Sequence, residues 1–298
     1  MADNIASVYA VQYGTNVALL LQQHGSRFRR AVQTGNYSGK QAEVVTQYGK
    51  TEASAPTGRY DQITFKNTPN DRRWVYPNDR EWADIVGSFD KLRVLTDPMG
   101  AYTQNGLNAM GRAIDDIILA GMLGDNKTGE AGATTESFDT TNNRVAVNYA
   151  SSANVGMTVD KLREGRRLLM AAEVDLDMED PWVGVTSNQH DDLLGQIQVV
   201  SSDFNGGQRP VLQDGKVQRF LGCNFINSER LLQTTTPYRR CPMWVQSGVH
   251  LGIWNDMMSD VSQRKDLSGQ PWQVYIQMTI GATRTEQDRV LDLLCNEA

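Results

Sequence analysis

The segment from residue 43 to residue 82 constrains this chain most, because it favours strands but carries too few apolar side chains to bury itself. Residues 43–48 and 59–65 have the β-branched and aromatic content of strands, and residues 50–58 between them form a turn-rich tip. A second turn leads to a third strand at residues 72–76. An isolated hairpin is marginal in water, and exposed strand edges invite pairing. We therefore expect an arm that needs a partner surface, in its own domain or on a neighbouring copy.

The rest of the chain has the size and composition of a folded protein. It has 298 residues, of which 40% are hydrophobic and 21% charged, so a substantial core is expected. The net charge of −6 argues against a general nucleic-acid binder, which needs clustered Lys and Arg. The three cysteines are far apart and are expected to be buried free thiols. We find neither a signal-peptide pattern nor an apolar run long enough to span a membrane.

Several segments have helical patterns. Residues 97–123 form the clearest one, with Asp97 as N-cap, Pro98 at the first position and an apolar stripe at helical spacing. Residues 5–32 also have helical spacing, residues 158–173 form a helix capped by Thr158, and Ser187 is expected to cap a short helix. Residues 125–143 between these helices are polar and predict a surface loop.

The remaining apolar runs favour strands. Asp214-Gly215 predicts a hairpin turn, and further strands are expected at residues 144–149, 181–186, 222–226, 242–253 and 273–283, followed by a polar tail. Helices and strands do not alternate regularly, which favours an α+β fold over a doubly wound sheet.

No catalytic, cofactor-binding or metal site is predicted. His24, His190 and His250 lack metal-ligand spacing and are expected to be structural or exposed. Residues 35–41 lack the spacing and the hydroxyl of a phosphate loop, and residues 175–180 lack the Gly and the closing Glu of a calcium loop. We therefore expect a structural protein, not an enzyme.

The order of elements resembles the major capsid proteins of tailed bacteriophages of the podovirus type, which have the Hong Kong 97-type fold. That order is an N-terminal arm, a long polar hairpin, one long helix, a central α/β region and a long final strand. The similarity covers most of the chain from about residue 12 onward, at FDKLRVLTDPMGAY (89–102), GRAIDDII (111–118), VVSSDF (199–204), DGKV (214–217), GCNFINSER (222–230) and MTIGATR (278–284).

The resemblance implies an anatomy for the chain. Residues 1–40 would be the N-terminal arm and residues 41–84 the extended loop, a β-hairpin that lies over a neighbouring subunit. Residues 85–150 and 258–298 would form the peripheral domain, with its spine helix at 97–123, and residues 151–257 the axial domain. Some relatives crosslink a Lys to an Asn. Lys50 and Lys66 lie in the loop region here, but neither a partner Asn nor an activating acid is identified, so the sequence does not predict a crosslink.

The resemblance also implies function and partners. The chain would build pentamers and hexamers of an icosahedral head that encloses double-stranded DNA, after assembly in the host cytoplasm. Expected partners are many copies of itself, a portal, a separate scaffolding protein, a decoration protein in some heads, and packaged DNA contacted without sequence specificity. An encapsulin-like cellular shell and a soluble α+β enzyme are the alternatives. Candidates for contacts between subunits are Arg59, Lys66, Arg72, Arg73 and Trp74.

Overall fold

One long helix contributes most of the α-helical residues in the part of the chain that the structure describes. The computed structural model describes residues 21–55, 58, 62–63, 65–87, 99–196, 215 and 217–298. Its longest helix, α1 (Met99–Leu123), has 25 residues. The helix predicted at residues 97–123 is confirmed in type and in its end at Leu123, while the proposed N-cap Asp97 and the proposed first position Pro98 lie outside the described residues. Two shorter helices follow, α2 (Val159–Ala171) and α3 (Ser187–Leu194).

The described strands form three sheets. The first has the order β1-β12-β13-β4, formed by β1 (Gln33–Asn36), β4 (Asn78–Val86), β12 (Val249–Gln263) and β13 (Trp272–Arg284). The second has the order β7-β14-β11-β8-β10-β9, formed by β7 (Arg144–Val145), β8 (Trp182–Val185), β9 (Arg219–Phe220), β10 (Cys223–Asn227), β11 (Tyr238–Trp244) and β14 (Val290–Asn296). The third has the order β2-β3-β5-β6, formed by β2 (Ala42–Tyr48), β3 (Asn70–Val75), β5 (Asn126–Thr128) and β6 (Thr134–Glu136).

The chain divides into two compact units. The first comprises Met1–Ser26, Asp79–Arg112 and Asn255–Met278, and the second comprises Arg27–Asn78, Ala113–Trp254 and Thr279–Ala298. In the first unit Gly106 lets α1 pack closely against Trp82 and Ile276. A Cβ atom at position 106 would lie only 2.5 Å from the Trp82 side chain and 2.6 Å from the Ile276 side chain. In the second unit Gly121 lets the same helix approach Ala282, at 2.8 Å from an ideal Cβ.

The core of the second unit lies on the six-stranded sheet. Val183, Met243 and Leu293 of three adjacent strands are fully buried, and so are Leu162 and Leu169 of α2. Gly165 lets α2 approach this sheet closely, because a Cβ there would lie 2.7 Å from the sulfur of Met243. The apolar face of α2 and the sheet therefore form one packed layer pair.

The last strand corrects the sequence analysis. Residues predicted as a polar tail form β14, which pairs antiparallel with β11 from Tyr238↔Asn296 to Trp244↔Val290. The strand lies inside the sheet between β7 and β11, so its side chains are buried on both faces and do not alternate. The proposed domain division, which places residues 258–298 with residues 85–150, stays a prediction and has to accommodate this pairing with β11.

Other local predictions are wrong in detail. Of the helix predicted at residues 5–32, residues 5–20 lie outside the described part, and residues 21–32 contain only a 3-10 turn at Arg29–Ala31. The Asp115 carboxylate accepts the backbone N–H groups of Arg27 and Phe28 just before this turn. The predicted loop at 125–143 contains the short strands β5 and β6, and the strand predicted at 144–149 ends at Val145. Thr186, not Ser187, caps α3, since its side chain and that of Gln189 form a capping box.

The strand region predicted at 242–253 is divided by the 3-10 turn Gln246–Gly248 into the end of β11 and the start of β12. The other predicted strands are confirmed where the structure describes them. These include the strands at 43–48 and 72–76, and Thr158 caps α2 by accepting the backbone N–H of Lys161 at 3.3 Å. The strand predicted at 59–65 is not found at residues 62, 63 and 65, and its other residues lie outside the described part, as does Asp214 of the predicted hairpin.

Candidate assembly surface

The arm predicted from the sequence has an ordered base. β2 and β3 pair antiparallel from Ala42↔Val75 to Tyr48↔Asn70, with a register shift between Glu43 and Val45. β3 in turn pairs with β5 through Arg73↔Thr128 and Trp74↔Lys127. The base of the arm therefore finds its partner surface within its own chain, whereas residues 51–55 and 65–69 beyond it have no regular structure.

The five candidate contact residues fall into three groups. Arg59 lies outside the described residues. Lys66 and Arg72 are exposed, and the Arg72 Nε lies 3.6 Å from a carboxylate oxygen of Glu43. Arg73 and Trp74 are engaged within the chain. The role of all five in contacts between subunits stays a prediction. Lys66 and Arg72 fit it best, because their charged side chains are exposed.

Arg73 and Trp74 fasten the arm to the β5–β6 hairpin. Arg73 is 6% exposed, forms an ion pair with Glu136 and donates from Nε to Gln47 Oε1 at 3.2 Å. Burial lowers the pKa of Arg73, and Asp71 counteracts this shift. The Trp74 indole N–H donates to the carbonyl of Gly129 at 2.7 Å. Both side chains therefore hold the base of the arm in place.

The exposed apolar side chains of the arm are the feature that sequence reasoning missed. Tyr48, Ile63 and Phe65 are 73%, 77% and 90% exposed. The sequence predicts that all three lie in strands and favours the charged residues as contacts between subunits. The sequence feature that indicates them is the presence of large apolar residues in a polar, turn-rich stretch. A single subunit has too few apolar residues nearby to bury them.

A polar cleft of about 590 Å³ lies beside the base of the arm. It is lined by the ends of β2 and β3 and by residues near 247 and 285–289. Gln47 donates to the carbonyl of Thr285, and Lys50 pairs with Glu173 at 2.6 Å on the surface. The Lys50 ammonium lowers the pKa of Glu173 through this hydrogen bond.

The histidines have structural partners. His24 Nδ1 lies 3.2 Å from the Asn108 side-chain amide, and His190 Nε2 accepts the backbone N–H of Val217 at 3.0 Å. His250 Nε2 lies 2.9 Å from the Tyr37 hydroxyl, and burial lowers the pKa of His250. None of these contacts forms a nucleophile–base pair.

The described residues also lack the groups needed for other functions. In the ranges that the structure describes, no cluster of His, Cys, Asp and Glu has the arrangement of a metal site. None of the described helices combines the length and the apolar character needed to cross a bilayer. All three cysteines are free and buried, as predicted.

Solved structures show what class of protein this fold defines. The chain of the cyanophage Pam1 capsid asymmetric unit superimposes with a TM-score of 0.77 at 14% identity, covering 100% of both chains. The capsid of cyanophage P-SCSP1u gives 0.71 at 14% identity over 100% of this chain and 96% of that one. A chain of Mycobacterium phage Che8 gives 0.71 at 13% identity over 98% of each chain. The α+β fold is therefore that of phage capsid subunits, which confirms the predicted fold class.

The family follows from the sequence itself. The model of the phage capsid protein family, Phage_capsid_2, matches residues 5–297. The chain belongs to this family. It is a structural component of a phage capsid and not an enzyme, as expected. No curated protein matches the chain.

Proposed function

We propose that the protein is the major capsid subunit of an icosahedral phage head, in which pentamers and hexamers of this chain enclose double-stranded DNA. Membership of the phage capsid protein family supports this proposal over the whole chain. The observation that carries it is the arm, which leaves Tyr48, Ile63 and Phe65 in water on a single chain.

The apolar tip contributes more to assembly than the charges around it. Fully burying one large apolar side chain contributes about 1.5–3 kcal/mol. An exposed ion pair contributes only about 0–1 kcal/mol and weakens with salt. Contacts of Ile63 and Phe65 with a neighbouring copy would therefore supply most of the affinity of the arm, while Lys66 and Arg72 would help to select its register.

The other parts of the chain take roles by analogy within the proposed shell. Residues 1–40 would be the N-terminal arm, residues 41–84 the extended loop over a neighbour, residues 85–150 and 258–298 the peripheral domain and residues 151–257 the axial domain. We propose that shells assemble in the host cytoplasm with a separate scaffolding protein, incorporate a portal and in some heads a decoration protein, and contact packaged DNA through their inner surface.

Truncating the arm tests the proposal. Deleting residues 47–66 should leave a soluble, folded subunit that fails to close shells in negative-stain electron microscopy. A finer variant combines Ile63→Ser with Phe65→Ser and should raise the concentration needed for assembly in analytical ultracentrifugation. Gln62→Ser is the matched control, because Gln62 is exposed in the same segment and is polar. Normal shells from the deletion variant would refute the role of the arm, and shells filled with a protein cargo would favour the encapsulin-like alternative.

A further inference from the structure

A shallow hollow rimmed by arginines lies on α2, away from the arm. Its volume is about 480 Å³, and it is lined by Arg163, Arg166, Arg167, Met170, Ala171 and Leu221. The three arginines are spaced i, i+3 and i+4, so they project from one side of the helix. The hollow therefore combines a cationic rim with an apolar floor.

The floor of the hollow is held in a strained conformation. Leu221 and Gly222 join β9 to β10 and both have positive φ, at 51° and 74°. This is the backbone of a two-residue hairpin turn, which favours Asn and Gly and disfavours Leu. Arg166 donates to the carbonyl of Leu221, and a Cβ at Gly222 would lie 2.5 Å from Arg166 Nη1. The hydrogen bond from Arg166 therefore stabilises the turn. It offsets part of the backbone strain of placing Leu221 at a positive φ beside the hollow.

The charges of the rim suit a single carboxylate group better than a polyanion. Arg163 pairs with Asp160 at 3.0 Å and Arg167 pairs with Glu164 at 2.6 Å, whereas Arg166 donates to the neutral carbonyl of Leu221. The local charge is therefore only slightly positive. Nucleic acid binding needs several uncompensated cations in a row, so packaged DNA is the weaker candidate for this surface.

A loop of the same chain has the complementary chemistry. Met178 is 82% exposed and stands beside the exposed Asp177. The Asp175 carboxylate shapes this tip by accepting the backbone N–H groups of Asp177 and Met178 at 3.1 and 3.3 Å. The loop therefore presents an apolar side chain next to acidic groups, whereas the hollow presents an apolar floor inside a basic rim.

We propose that the Met178 tip of one copy inserts into the arginine-rimmed hollow of a neighbouring copy, with Asp177 facing Arg167. This contact rests on the proposed shell function, because it needs many copies held side by side. Both surfaces lie on every chain, so each copy can give one contact and receive one, as subunits in a ring do. The proposal adds to the contacts of the arm and assigns a use to the loop at 175–180.

Site-directed crosslinking tests the contact directly. Two single variants, Met170→Cys and Met178→Cys, are mixed before assembly and treated with a mild oxidant such as copper phenanthroline, which accepts the two electrons released when two thiols form a disulfide. Disulfide-linked dimers should appear in assembled particles but not in dilute subunits. The native cysteines are buried and provide no background. Assembled particles without crosslinked dimers would overturn the proposal.

Charge reversal gives a second, independent test. Arg167→Glu and Asp177→Arg should each raise the concentration needed for assembly by up to about fivefold. The double variant should restore part of the loss, because the pair is then reversed while Glu164 still lacks its partner Arg167. Lys265→Glu, at an exposed position outside both the arm and the hollow, is the control for an equal change in charge. A double variant that assembles worse than either single variant would refute the pairing, and so would normal assembly of both single variants. Normal shells of Arg167→Glu that package less DNA would assign the hollow to DNA instead. If the unmodified chain does not assemble, the shell function itself fails.

Discussion

Asp292 is a buried charge whose removal should destabilise the subunit. It is fully buried in β14, and its Oδ2 accepts from the Nε atoms of Arg144 at 3.0 Å and Arg240 at 2.8 Å. Asp292→Asn keeps the size of the side chain and removes its charge. The two guanidinium groups would then lie side by side in the sheet without a counter-ion.

The cost follows from the burial of the group. Removing one partner of a buried ion pair costs about 3–5 kcal/mol. The side chains of Arg144 and Arg240 are 21% and 13% exposed, so water screens part of the repulsion and favours the lower end of that range. A third guanidinium adds to the repulsion, because Arg284 lies over the same Phe138 ring as Arg240. The distances to the ring centroid are 5.2 Å for Arg284 and 5.5 Å for Arg240. Burial, with Arg73 adding to it, already lowers the pKa of Arg284 to about 10.

Calorimetry of the unassembled subunit measures this cost. A loss of about 3 kcal/mol corresponds to a fall in Tm of about 5 °C for a chain of 298 residues, whose entropy of unfolding is about 0.6 kcal/mol/K. Asp266→Asn is the control, because Asp266 pairs with Arg264 at 2.5 Å on the surface and its side chain is 57% exposed. Equal shifts in Tm for the two variants would refute the account of a buried charge cluster that stabilises the sheet.

Three further predictions concern other buried groups. Asp115→Ala removes the acceptor of the backbone N–H groups of Arg27 and Phe28, so the free energy of unfolding should fall by about 2–3 kcal/mol in urea titrations. Burial lowers the pKa of His250 from 6.5, so its contribution to stability is complete above that pH and is lost as the pH falls; His250→Gln should flatten the dependence of Tm on pH between about 5 and 7. The three buried thiols should resist alkylation at pH 8 until denaturant is added, because burial raises the pKa of Cys223 to about 11, and rapid labelling of the native subunit would contradict their burial.

The sequence predicts those elements whose local pattern agrees with their environment. The stripe of α1 and the cap of α2 by Thr158 are visible in the residues alone, since each depends on neighbours within a few positions. The same holds for β2 and β3, whose β-branched and aromatic residues favour strands even in a polar stretch.

Elements that depend on distant partners are not predictable in this way. β14 contains Asp292, which interrupts an apolar run and suggests a surface tail until Arg144 and Arg240 are seen to pair with it. Residues 21–28 have helical spacing, but Asp115, far away in sequence, binds the backbone of Arg27 and Phe28. The candidate assembly surface is equally hard to predict from the sequence. Arginine is typical of surfaces, but Arg73 is buried, and its ion pair with the distant Glu136 compensates its charge.

Electron microscopy of the concentrated, purified chain tests the central claim most directly. The account predicts closed particles in which the subunits form clusters of five and six, together with free subunits at low concentration. A monomer that stays compact and monodisperse at every concentration, in the presence of a scaffolding protein as well as in its absence, would contradict the assignment as the subunit of a shell.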